Sequence, residues 1–350
     1  MTLPAPPIVS VVIPVKDRTV FVHEAVRSVQ AQSLDAFELL LCDDDSEAPT
    51  LEIMQGACRR DPRLRIIPRG PRPAGGGARR NDGAMASTGR YLVFLDSDDI
   101  MRPDCLRDRV AWMERHSELG FCLSECRVFE QTPGDTPYGF NIRSTEDDLE
   151  RFLRHDFPWQ TTAPTWRRDA FTATGGWDDS LPSWQDWDLH VRALIALASG
   201  SRGLAYARTG ATDYYYRRTR GVALEGFSGR AHLHTRRALL AKISRLLVVA
   251  RPLESRAARL LAGLYFSVGW SLACAGFQDE ATALWRDAGQ FGLVRRRQFR
   301  EGDVLLRLAR REGLRPTLQR YRYTAWPVDL HHTPSKTMMR AWALPNGRES

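Results

Sequence analysis

The residues with the clearest chemical potential in this sequence are three carboxylates at the end of an apolar run, Tyr91-Leu92-Val93-Phe94-Leu95-Asp96-Ser97-Asp98-Asp99. Carboxylates are costly to bury without a partner. A cluster at the exit of a buried strand therefore points to a cation, or to a ligand that carries one. Asp96 and Asp98 are two apart, so on an extended backbone they point the same way. Such a pair can hold one hard divalent ion, Mg²⁺ or Mn²⁺, whose other ligands are waters and phosphate oxygens. The competing reading is a strand closed by an acidic turn or a helix N-cap. A second cluster, Asp43-Asp44-Asp45-Ser46, follows another apolar run from Phe37 to Cys42.

The elements that must position these carboxylates alternate in type. Ile8 to Pro14 is a continuous β-branched run, expected as a strand buried on both faces. Val20 to Gln32 places Val22, Val26 and Val29 on one helical stripe. Strands are expected over Phe37–Cys42 and Leu64–Pro68, helices over Thr50–Arg60 and Ala78–Thr88, with a Pro/Gly-rich loop from Gly70 to Gly77 between. A helix over Pro103–His116 and strands over Phe121–Phe129 and Thr161–Arg167 follow. Residues 130–156 read as irregular. Trp184 opens a helix to Ala198, and Gly203 to Arg218 has strand composition. Strands alternating with helices imply a mostly parallel α/β sheet. In such sheets ligands bind beyond the carboxyl ends of the strands, which is where both Asp clusters fall.

The chain has 350 residues, 43% apolar and 26% charged, as expected of a globular protein. No basic segment followed by an apolar run opens it, so no signal peptide is expected. The six cysteines have no zinc-type spacing and read as reduced thiols. Leu260 to Gln278 carries no charged residue, but its glycines and serines favour a buried helix over a membrane span. From about residue 230 helical patterns dominate. Residues 230–350 hold 22 Lys and Arg against 9 Asp and Glu, which points to an anionic surface or to a solvated basic face. Leu260–Gly276 and Asp279–Gly289 read as a helical hairpin like one tetratricopeptide unit, although arrays need about three. The expected organisation is a catalytic domain over 1–229, a basic helical region over 230–326 and an extended tail over 327–350. Thr219-Arg220-Gly221 is expected as a mobile loop.

The order of these pieces resembles the inverting, nucleotide-sugar-dependent glycosyltransferases of the GT-A fold, family 2 type. Val9 to Pro14 is similar to the family's opening strand, and Gln32-Ser33 to a frequent pair after its first helix. Asp43-Asp44-Asp45-Ser46, Arg80-Asn81-Asp82-Gly83, Asp96-Ser97-Asp98-Asp99 and Gln185-Asp186-Trp187-Asp188-Leu189 resemble four further motifs, in the family's order. The resemblance spans about residues 8–220. Gln185 stands where the family usually has Glu, and Thr219 or a neighbouring Arg stands where a His often adds a metal ligand.

The resemblance implies roles for individual residues. Pro14, Asp17 and Asp44 would border a uracil-type base pocket, where a carboxylate can accept the imide N–H; a helix N-cap is the alternative for Asp44. Arg80 would meet phosphate or orient Asp96, unless it is a surface helix arginine. Asp96 and Ser97 would bind the nucleotide sugar, with Asp96 and Asp98 on the metal. Asp186 would be the general base, with Trp184 and Trp187 flanking it and offering faces to an acceptor sugar. Asp188 reads as the partner of Arg192, four residues on. The implied partners are a UDP-sugar donor and a glycan or lipid-linked acceptor; the basic C-terminal region and the amphipathic run from His232 to Ala250 point separately to an anionic membrane touched peripherally from the cytoplasm. No nucleic-acid module is present. A sugar-phosphate nucleotidyltransferase is disfavoured because Val15-Lys16-Asp17-Arg18 lacks glycine. A non-catalytic nucleotide-sugar-binding protein is disfavoured because Asp96, Asp98 and Asp186 occur together.

Overall fold

The computed structural model describes residues 6–140, 144–218 and 230–309. An eight-stranded sheet forms its centre. Its strands are β1 (Val9–Val15), β2 (Phe37–Asp43), β3 (Leu64–Ile67), β4 (Tyr91–Phe94), β5 (Ile100–Met101), β6 (Phe121–Phe129), β7 (Pro164–Arg167) and β8 (Tyr206–Arg217). Their spatial order is β3-β2-β1-β4-β7-β6-β8-β5. The first four are parallel, with Val11 opposite Leu39 on one side and Val93 on the other. β7 enters antiparallel to both β4 and β6, and β5 to β8, so the sheet is mixed, with the larger share of its pairings parallel as expected.

Alternation along β1 assigns the two faces. Val9, Val11, Ile13 and Val15 join one apolar cluster, while Val12 joins the other with Leu40, Leu92 and Phe94. Helices α1 (Thr19–Gln30), α2 (Ala48–Arg60) and α4 (Cys105–Arg115) supply residues to the first cluster. The second is covered by α3 (Gly76–Ala86), α5 (Asp148–Leu153), α6 (Arg168–Ala173) and α7 (Gln185–Ala198). It continues without a break into α8 (Arg230–Ala250), α9 (Arg256–Cys274), α10 (Gln278–Gln290) and α11 (Arg296–Leu308).

Of the described helices, α9 alone is long and apolar enough to cross a membrane, and 83% of that window is packed inside the protein. All six cysteines are free thiols, four of them buried. The segment expected to be irregular contains α5, started by Asp147, whose carboxylate accepts the Glu150 N–H at 3.0 Å. β5, α6 and α11 also went unread in the sequence. The loop at 219–221 and the tail after 327 lie outside the described residues.

One glycine sets how closely α3 approaches the sheet. A Cβ on Gly83 would lie 2.3 Å from Val12 Cγ1 and 2.7 Å from Cys42 Sγ. Both side chains are fully buried, and valine is stiff at χ1. Gly83→Ala is therefore expected to lower the unfolding free energy by about 1–3 kcal/mol, the usual cost of overpacking. Denaturant unfolding of the purified variant checks this; wild-type stability would show that α3 can shift freely.

Candidate active site

The carboxyl ends of β1, β2 and β4 lie together at one edge of the sheet, and the loops after them carry the acidic clusters. β2 ends in Asp43, whose Oδ1 accepts the Ser46 N–H at 3.1 Å and closes the turn. That turn presents Asp44, 5% exposed. Asp44 Oδ2 accepts the Gly75 N–H at 2.9 Å, so the Pro/Gly-rich loop closes onto it. Asp44 Oδ1 is buried and accepts no hydrogen bond, although the guanidinium of Arg79 lies 3.5 Å away. Helix α2 is preceded by Glu47, so Asp44 is not its cap. Asp17 adopts a left-handed φ of 48° and accepts the Glu47 N–H at 2.7 Å, tying the β1 loop to α2. Pro14 is half-buried beside Cys42 in the β1–β2 register.

The signature after β4 is arranged differently from expectation. The strand stops at Phe94, and the Asp99 N–H bonds to the Asp96 carbonyl at 3.0 Å, so residues 96–99 form a tight turn. The two-apart rule for an extended strand does not apply to Asp96 and Asp98. Instead each carboxylate meets its own arginine: Arg80 Nη2 is 2.5 Å from Asp96, and Arg18 pairs with Asp98. Ser97 is buried between them. Asp99 is buried outright and accepts from Gln160 Nε2, Thr162 Oγ1 and the Arg217 N–H, each at 3.1 Å. It anchors the turn. Burial holds the Asp98 carboxyl above its usual range, and the neighbouring Asp96 charge adds to that. Asp99 is pushed well up for the same two reasons.

Arg80 links this turn to α7. Besides Asp96, its guanidinium reaches Gln185 Oε1 at 3.3 Å and lies over the Trp177 ring at 4.7 Å. Gln185 Nε2 in turn donates to the Leu181 carbonyl at 2.6 Å. Asn81, the next residue of α3, fixes the loop before α7 by donating to the Trp177 carbonyl at 2.8 Å. Asp186 follows Gln185 in the first turn of α7 and accepts the Trp187 N–H at 2.8 Å. Burial raises the Asp186 carboxyl above its ordinary value; the Trp187 N–H opposes this, and the Asp96 charge adds to the rise. Asp96 and Asp186 are therefore near enough for the charge of one to act on the other, with Arg80 close to both.

Asp188 is fully buried and pairs with Arg192 at 2.8 Å, as the spacing suggested. Lys242 of α8 also lies 2.5 Å from Asp188 and 2.6 Å from Asp178, a contact no sequence signal marked. The expectation that Trp184 and Trp187 offer faces to a sugar is corrected. Trp187 is fully buried, with its indole N–H donating to the Phe152 carbonyl at 2.8 Å. Trp184 is 7% exposed and packs between Trp187, His155 and Arg236. Their bulk belongs to the core under the first turn of α7. Arg18, Gln160, Thr162 and Arg217 were also missed in the sequence, because each reaches the turn from a distant segment.

Among the described residues, no group of three or more His, Cys, Asp or Glu side chains forms a ready cation cage. The donors at hand are hard carboxylate oxygens, crowded enough that each draws a guanidinium. They suit an ion that keeps phosphate and water in its shell rather than one enclosed by protein.

Residues 10–171, a little under half of the chain, match the model of Glycosyl transferase family 2, and the chain has the GT-A fold. It is 27% identical over 193 residues to an Escherichia coli chondroitin synthase, covering 55% of this chain and 27% of that protein. It is 34% identical over 176 residues to the Bacillus subtilis glycosyltransferase EpsJ, covering 47% of this chain and 49% of that one. It is 31% identical over 130 residues to TuaG of the same organism, described as a putative teichuronic acid biosynthesis glycosyltransferase, covering 37% and 51%. The chain thus spans about a quarter to a half of these relatives. Among solved structures, Staphylococcus aureus TarS 1–349 in complex with UDP-GlcNAc superposes with a TM-score of 0.62 at 19% identity, covering 91% of this chain and 90% of that one. That likeness is one of fold.

Proposed function

We propose that this chain is an inverting glycosyltransferase. It moves a sugar from a nucleotide sugar, with UDP as the nucleotide, to a hydroxyl of a glycan or lipid-linked acceptor in cell-surface polysaccharide assembly. The observation that carries this reading is Arg80, which joins the Asp96 turn to the first turn of α7, where Asp186 sits. The uridine nucleotide held by TarS and the polysaccharide roles in the names of chondroitin synthase and TuaG support the donor and acceptor classes.

In this reading Asp44 Oδ1, buried without a donor, accepts the base N–H. Pro14 and Asp17 border the same pocket. Asp96 contacts the ribose, beside Ser97. Asp96 and Asp98 would hold a divalent ion, Mn²⁺ or Mg²⁺, which supplies positive charge to the diphosphate. Arg18 and Arg80 are placed to turn from carboxylate to phosphate. Asp186 takes the proton from the acceptor hydroxyl while that oxygen forms its bond to the anomeric carbon. The carbon–oxygen bond to the diphosphate breaks on the opposite side, so the configuration inverts. Desolvation of Asp186 strengthens it as a base near neutral pH.

We place the chain at the cytoplasmic face, with the basic C-terminal region against anionic lipid. Co-sedimentation with anionic but not neutral vesicles, weakening with salt, is expected; equal binding to both vesicle types would remove this part of the reading.

Asp186→Asn is expected to keep UDP-sugar and Mn²⁺ affinity while transfer falls by ~10²-fold or more. Asp98→Ala should lose the Mn²⁺-dependent part of nucleotide binding. Asp188→Asn should act through stability, because it leaves Arg192 and Lys242 short of a counter-charge. Transfer rates at saturating donor on folded protein separate these cases. Full activity in Asp186→Asn would end its assignment as the base.

A further inference from the structure

Six arginines are buried among the described residues: Arg79, Arg80, Arg109, Arg151, Arg217 and Arg236. Five of them meet a carboxylate. Arg79 pairs with Asp82 at 2.9 Å, Arg80 with Asp96 at 2.5 Å, Arg109 with Asp213 at 2.7 Å, Arg151 with Asp156 at 2.9 Å, and Arg217 with Glu24. Arg236 is 6% exposed and meets none. Its Nε is sealed from water without an acceptor. Its guanidinium carbon lies 4.8 Å over the face of the Trp184 ring. Its neighbour Arg237, by contrast, forms a two-pronged bond to Asp287 at 2.6 and 2.9 Å.

A buried charge without a counter-charge is expensive, and burial alone pulls the Arg236 pKa down to about 10. Stacking on an indole recovers part of that cost. It leaves unused the planar fork with which arginine recognises oxyanions. The position matters as much as the missing partner. Trp184 is the residue on which α7 begins, held in a left-handed conformation with φ 62°, and Asp186 is two residues further on. The partial positive charge of the α7 N-terminus adds to the guanidinium there.

We propose that Arg236 is an acceptor-recognition residue: stacked on Trp184 beside the first turn of α7, it pairs with an oxyanion, phosphate or carboxylate, carried by the acceptor. The inference rests on the transferase reading and adds the chemical class of acceptor to it. A neutral acceptor leaves Arg236 uncompensated, whereas an anionic one completes the pair and brings its hydroxyl toward Asp186. The appended helix α8 thereby contributes a binding group to the transferase site.

The test uses the full chain with its nucleotide site filled by saturating UDP and Mn²⁺, so that added anions do not report on that site. Thermal unfolding is followed while glycerol 1-phosphate, glucuronate or glycerol is added. Wild type is expected to be stabilised by the phosphate or the carboxylate probe, and not by glycerol; the stronger of the two assigns the acceptor's anion. Arg236→Gln should raise the half-saturating concentration by roughly tenfold or more, the scale of one charged hydrogen-bonded contact. Arg236→Lys, which keeps the charge without the fork, should fall between. The UDP-dependent stabilisation should be the same in all three proteins, and its absence would count against the transferase reading separately. No response of wild type to either anion, or the same response in Arg236→Gln, overturns the proposal and leaves Arg236 as a packing residue on Trp184.

Discussion

The arrangement depends on one guanidinium. Arg80 is held between the Asp96 carboxylate, the Gln185 amide oxygen and the face of Trp177. These partners come from the loop after β4, the start of α7 and the loop before it. Arg80 stands close to both the acidic turn and the acidic helix start: the Asp96 charge adds to the rise of the Asp186 carboxyl, and the guanidinium opposes it. Arginine suits this place because its planar group can bond at its edge and stack on its face at once. With Gln185 rather than a second carboxylate beside it, Arg80 pairs with Asp96 as its anion among the described residues, so the pair is balanced.

Arg80 can occupy that place because of its neighbours on α3. Gly83 lets the helix lie against Val12 and Cys42, and Asn81 holds the loop at Trp177. One short motif thus carries three separate jobs: close packing, loop fixation and charge. On the far side, Lys242 and Arg192 share the buried Asp188, and Arg192 also donates to the Gly176 carbonyl at 2.6 Å. The first turns of α7 are pinned from the sheet side by α3 and from the C-terminal side by α8. This explains why the helices after residue 230 share one apolar core with α7.

Much of this was legible in the sequence because local pattern sets it. The β-branched run of β1, the valine stripe of α1 and the limits of β6 follow from residues adjacent in the chain. The acidic strand ends could be placed at the ligand edge because parallel topology puts them there. Three-dimensional pairing was not legible. Nothing local says that Arg18 reaches Asp98, that Lys242 reaches Asp188, or that Asp99 is anchored by Gln160 and Thr162. Aromatic residues next to a proposed base suggested sugar stacking, but Trp187 points inward because α7 needs it as core. The Asp96–Asp98 spacing misled for a related reason: the chain turns there, and period-2 geometry holds only while the backbone stays extended.

The central claim is that Arg80 and Asp186 act as one unit across the cleft, and a double-mutant cycle on turnover at saturating donor tests it most directly. Arg80→Met, Asp186→Asn and the double variant are compared with wild type. The account predicts strong non-additivity, with the double variant about as slow as the slower single one, because either change already dismantles the arrangement. Losses that simply multiply would show that the two residues contribute independently, and would contradict it.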